Sequence, residues 1–67
     1  MRLAQLEAIM KEKSITRQEL ADSMEVKYLY LTKRILGYID IDVTDMRKII
    51  KILNLTNEEI VRCFYLI

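Results

Sequence analysis

Apolar residues recur along the chain at three- and four-residue spacing, the period of a helix that buries one face. Leu3, Leu6, Ile9 and Met10 make the first stripe and predict a helix over about 2–13, interrupted by Ser14 and Ile15. A second helix is predicted to start at Thr16. Thr16 and Glu19 have the spacing of a capping box, in which the hydroxyl takes the amide of the third helical residue and the carboxylate reaches back. Leu20, Ala21 and Met24 form its inner face, and Glu25 and Val26 the turn that follows. A third helix is predicted over about 27–36, with Gly37 as a left-handed stop. Residues 39–41 alternate apolar and acidic positions, but the segment 38–41 is too short for a strand and has no partner, so it reads as a loop. Asp42 caps a fourth helix whose stripe is Val43, Met46, Ile49, Ile50 and Leu53, and Asn54 suits its end. Thr56 and Glu59 repeat the capping box and open a fifth helix over about 60–65.

Composition supports this helical reading. There is no proline, and Gly37 is the only glycine. Strands joined by tight turns normally draw on both residue types. The 67 residues suffice for one domain, 1–67, and the expected class is all-α with five helices. A domain this small hides only about 60% of the surface its unfolded chain exposes. Yet 52% of its residues are hydrophobic, so some apolar surface is expected to be buried between subunits.

Charge and chemistry narrow the function classes. Eleven basic and ten acidic residues leave a net charge of +1, not the strongly basic balance of a non-specific nucleic-acid binder. Any DNA contact must come from a local patch, and the excess of basic groups lies in residues 1–34. There is no histidine, no glycine-rich phosphate loop and no nucleophile–base pair, so an enzyme is not expected. The single Cys63 excludes an intrachain disulfide and a Cys-Xaa-Xaa-Cys metal site; it reads as a small buried apolar residue. Asp40, Asp42 and Asp45 lack the further ligands and the glycine of a calcium loop, so capping by Asp42 and solvation of the other two are expected. No cofactor and no metal are implied. With neither a signal peptide nor an apolar run of about 20 residues, the expectation is a soluble cytoplasmic protein without membrane contact.

Residues 16–37 carry the functional signal. Two short helices joined by a turn of about three residues have the outline of a helix-turn-helix unit. It needs a small residue where the helices cross, and Ala21 sits there. It needs apolar residues around the crossing, and Leu20, Met24, Val26 and Leu31 supply them. The outward face of the third helix is then Lys27, Tyr28, Leu29, Thr32 and Lys33.

Over Ile15-Thr16-Arg17-Gln18-Glu19-Leu20-Ala21, Met24-Glu25-Val26, Leu31 and Gly37, the chain resembles the lambda-repressor-like and Cro-like helix-turn-helix domains. The flanking first, fourth and fifth helices fit the same pattern. The resemblance implies a five-helix DNA-binding domain in which the second and third helices form the motif, and a small phage-type transcriptional repressor. It implies that Arg17 and Gln18 lie at the DNA, Arg17 beside a phosphate where the family commonly places glutamine. Lys27 would meet the backbone, and Tyr28, Leu29, Thr32 and Lys33 would face base edges. It also implies a homodimer on a double-stranded operator. The apolar tail, with Phe64, Leu66 and Ile67, is the expected interface. The alternative on the same fold is an antirepressor or modulator that grips another repressor.

Three features depart from the family's pattern. Glu25 stands where the turn usually has glycine, and Arg34 where a core residue is usual, so that Ile35 is expected to take the core role. The loop after Gly37, often basic in the family, carries Asp40 and Asp42 here, with Asp45 close behind.

Overall fold

The computed structural model describes residues 2–65 and is helical, with no strand among them. Five α-helices follow in order: α1 (Ala4–Glu12), α2 (Arg17–Met24), α3 (Tyr28–Ile35), α4 (Val43–Leu53) and α5 (Asn57–Ile60). A π-helical segment (Val61–Tyr65) continues α5. The boundaries follow the local chemistry. Thr16 accepts from the Glu19 amide while Glu19 Oε1 accepts from the Thr16 amide, and Thr56 and Glu59 repeat the arrangement, so both capping boxes are formed. Asp42 Oδ1 accepts from the Asp45 amide at 2.7 Å and caps α4. Left-handed residues stop the helices: Ser14 beyond α1, Glu25 after α2, Gly37 after α3 and Asn54 after α4. Residues 38–41 form a loop.

The core is one cluster in which Leu6, Ile9, Leu20, Ala21, Leu31, Ile35 and Ile49 have no exposed surface. α2 lies at the centre and packs on both α3 and α4, while α1 packs on α3 and the π-helical segment. Ala21, small and fully buried, lies on the inner face of α2. Ile35 fills the core position beside the departure at Arg34, as the sequence leads one to expect. Cys63 is buried among apolar neighbours, and that burial pushes its thiol pKa up.

Three expectations need correction. Val43 does not line the core; it is 59% exposed. Its place on the inner face of α4 is taken by Asp45, one turn before Ile49, and Asp45 is only 3% exposed rather than solvated. The cause is a set of partners supplied by α3. The Tyr30 hydroxyl donates to Asp45 Oδ2 at 2.8 Å, and Arg34 Nε lies 3.6 Å from the same oxygen. A carboxylate so partnered can be withdrawn from water at tolerable cost. The last helix also widens from α to π after Ile60, which directs Cys63 and Phe64 inward and leaves Val61 and Tyr65 outside.

Candidate nucleic-acid interface

The turn between α2 and α3 decides how the motif is presented. Glu25 sits at φ 59°, ψ 39°, a left-handed conformation that carries a penalty for any residue with a Cβ. The Val26 amide closes the turn by donating to the Ala21 carbonyl at 3.0 Å. Lys27, in extended conformation, is the N-cap of α3; its ammonium has no acceptor with which to cap the helix amides, and the residue is exposed. Val26 is half-buried against the core and anchors the turn.

This arrangement puts an exposed row along α3. Tyr28 and Leu29 are exposed, as is Lys33 one turn further on, and the spacing of 29 and 33 aligns them on one side. Thr32 lies between them and is half-buried. Its hydroxyl oxygen is buried and meets no hydrogen-bond partner. Arg17, the first residue of α2, lies over the Tyr28 ring with its guanidinium carbon 5.9 Å from the centroid. The start of α2 and the start of α3 are thereby joined into one surface. Gln18 is exposed, and its amide donates to Asp22 Oδ1 at 2.8 Å. A shallow groove of about 430 Å³ opens beside the start of α2, with Lys11, Ser14, Thr16 and Arg17 among its walls.

The flank beyond Lys33 has a different character. The Tyr38 and Ile39 amides both donate to the Lys33 carbonyl, folding the loop onto the end of α3. That loop exposes Tyr38 and Ile39 together with Asp40 and Asp42. Arg34 does not join the outer row. It stacks on Tyr30 with its guanidinium carbon 3.5 Å from the ring centroid, donates to the Tyr30 carbonyl at 2.9 Å and faces Asp45. The hydrogen bond to Asp45 holds the Tyr30 hydroxyl pKa above its ordinary value, with burial and the Asp45 charge acting in the same sense and Arg34 opposing. Sequence reasoning misses this cluster. Its signal is an arginine and an aspartate, opposite in sign, each interrupting an apolar stripe.

The expected interface residues divide. Phe64 is half-buried and packs against the core, while Leu66 and Ile67 lie outside the described residues. Arg62 donates to Gln5 Oε1 at 3.1 Å and Lys13 pairs with Glu59 at 3.6 Å, fastening the C-terminal segment to α1 and its end. Val61 and Tyr65 face outward on that segment. Among the described residues no helix is long and apolar enough to cross a membrane, and no group of His, Cys, Asp or Glu could hold a metal.

Comparison with known proteins agrees with the geometry. A family model described as helix-turn-helix matches residues 6–60, which takes in α2 to α5 and α1 apart from its first two residues. No curated protein and no solved structure gives a significant match.

Proposed function

Because the chain belongs to the lambda-repressor- and Cro-like helix-turn-helix family, a family of DNA-binding regulators, we propose that it is a sequence-specific transcriptional repressor that reads the major groove with α3. The observation that carries this reading is the continuous outer surface formed by Arg17, Tyr28, Leu29 and Lys33. In this reading Lys33 would donate to guanine O6 and N7, while Leu29 or the Thr32 methyl would meet the methyl group of thymine. Lys27 and Arg17 act on phosphate, and the start of α2 adds unpaired amides that favour an anion. The mechanism is occupancy: a bound operator is closed to RNA polymerase, as a Cro-like phage regulator works.

Homodimerisation belongs to the same proposal. The described residues extend 27 × 23 × 20 Å, whereas successive major grooves on one face of DNA are roughly 34 Å apart. One copy therefore reaches a single half-site, which holds too few base pairs for useful specificity. The outward Val61 and Tyr65 offer an apolar surface for a two-fold contact. Phe64 would support it from beneath.

A second reading keeps the fold and changes the partner. The exposed Tyr38 and Ile39 beside Asp40 and Asp42 would repel phosphate and suit a protein surface, as in an antirepressor that acts on another repressor. An electrophoretic shift against the chain's own promoter region, at two salt concentrations, separates the two. A repressor retards that duplex more than an unrelated one and loses affinity as salt rises. Absence of any shift at low salt would favour the protein partner.

A further inference from the structure

Asp45, Tyr30 and Arg34 make a polar clamp between α4 and α3 whose place in the fold suggests more than support. We propose that Asp45, with Tyr30 and Arg34, is a positioning device for sequence recognition: it sets the roll of α3 about its own axis and so the direction in which Leu29, Thr32 and Lys33 point. The inference rests on the reading of α3 as the recognition helix.

Tyr30 and Arg34 are one turn apart, so they lie on one edge of α3. Both are held by a single oxygen of Asp45, at 2.8 Å from the hydroxyl and 3.6 Å from Arg34 Nε. The bond from Arg34 to the Tyr30 carbonyl and the 3.5 Å stack on the Tyr30 ring lock the two donors to each other. This edge flanks the buried Leu31 and Ile35 on one side, while Thr32 lies on the other. A pull on the Tyr30–Arg34 edge therefore acts as torque about the helix axis.

The apolar contacts of Leu31 and Ile35 hold α3 to the core, but apolar burial is non-directional. A hydrogen bond weakens steeply with distance and angle, so the clamp selects one orientation. The sensitivity is large. Side-chain tips stand about 5–6 Å from the helix axis, so a roll of about 15° moves them roughly 1.5 Å. Functional groups need placement to about 0.5 Å, and base-edge hydrogen bonds do not survive such a shift. Stability alone is a weak reason for the clamp, because well-packed apolar replacements of a buried ion pair are often neutral or stabilising.

The test begins with duplexes that the parent chain enriches from a random-sequence pool. Affinities of parent and Tyr30→Phe are then measured for the enriched duplex and for a scrambled one, with thermal unfolding followed alongside. Tyr30→Phe removes the hydroxyl and keeps the ring beneath Arg34. It is expected to stay folded, to bind the scrambled duplex as the parent does, and to lose about tenfold on the enriched duplex. Asp45→Asn keeps an acceptor for Tyr30 but no charge for Arg34, and carries the same comparison should Tyr30→Phe fail to fold. An unchanged ratio of the two affinities, or an equal loss on both duplexes, overturns the positioning role and leaves the repressor reading intact. A parent chain that enriches no sequence overturns both.

Discussion

Arg17 opens α2 and Tyr28 opens α3, and the guanidinium carbon of the first lies 5.9 Å from the ring centre of the second. At a surface site such a cation–π contact contributes about 0.5–1 kcal/mol. A double-mutant cycle of Arg17→Ala and Tyr28→Ala, read by chemical denaturation, should return a coupling of that size. Replacing Tyr28 by phenylalanine should preserve it. In DNA binding, Arg17→Ala should reduce the slope of log affinity against log salt by about one if the side chain also meets a phosphate.

The left-handed Glu25 makes a second case. Glycine adopts this conformation without the Cβ clash, which costs roughly 1–2 kcal/mol, but it also frees the unfolded chain by about 0.4–1 kcal/mol. Glu25→Gly should therefore stabilise the domain by a net amount of about 0.5–1 kcal/mol in urea denaturation. It also removes a carboxylate from the turn before α3, so affinity for any duplex should rise. A loss of stability would mean that the Glu25 side chain contributes more than the backbone conformation costs.

Acid should loosen the helix starts. Glu19 and Glu59 have pKa values held below the ordinary carboxylate value, in each case first by the backbone amide of the capping threonine. A depressed folded pKa contributes stability above the unfolded value that is lost as pH falls through the folded one. Melting temperature should therefore decline below about pH 4.5, and a Glu19→Gln, Glu59→Gln double variant should show a shallower decline. Tyr30 has the opposite sign. Its raised pKa gives stability that is complete below the ordinary tyrosine value and lost as pH rises past the folded one. Tyr30→Phe should flatten the alkaline limb of the same curve.

Self-association is expected through the outward side of the C-terminal segment. Tyr65→Asp and Val61→Asp place charge on exposed positions, so neither should unfold the monomer. Phe64→Asp is unsuitable because Phe64 packs against the core. Sedimentation of the parent should show a dimer that dissociates in either variant. A parent that stays monomeric at high concentration yet binds DNA tightly would exclude this contact.

The helices and their ends were legible because short-range chemistry decides them. Thr16 with Glu19, Thr56 with Glu59, Asp42, Gly37 and Asn54 each act within a few residues of their own position. The exposure of Tyr28, Leu29 and Lys33 followed from the helix-turn-helix outline, whereas Thr32 proved half-buried. What escaped was long-range and polar. Asp45 looks like one more acid of a solvated loop until Tyr30 and Arg34, 15 and 11 positions earlier, are brought against it. Val43 was misplaced for the same reason, since a stripe drawn from hydrophobicity passes over the aspartate that occupies the inner face. The π-turn after Ile60 has no local sequence mark, so the direction of Phe64 was not open to reading by a 3.6-residue period.

The central claim, that α3 reads bases while its N-cap grips the backbone, is tested most directly by comparing Lys33→Ala and Lys27→Ala by fluorescence anisotropy. The probes are a duplex enriched by the parent chain from a random-sequence pool and a scrambled duplex. Lys33→Ala should lose about 1–3 kcal/mol on the enriched duplex and relax the preference at one base position. Lys27→Ala should weaken both duplexes alike and lower the salt slope by about one. Two variants that bind the enriched duplex as tightly as the parent would contradict the assignment of this face to the groove.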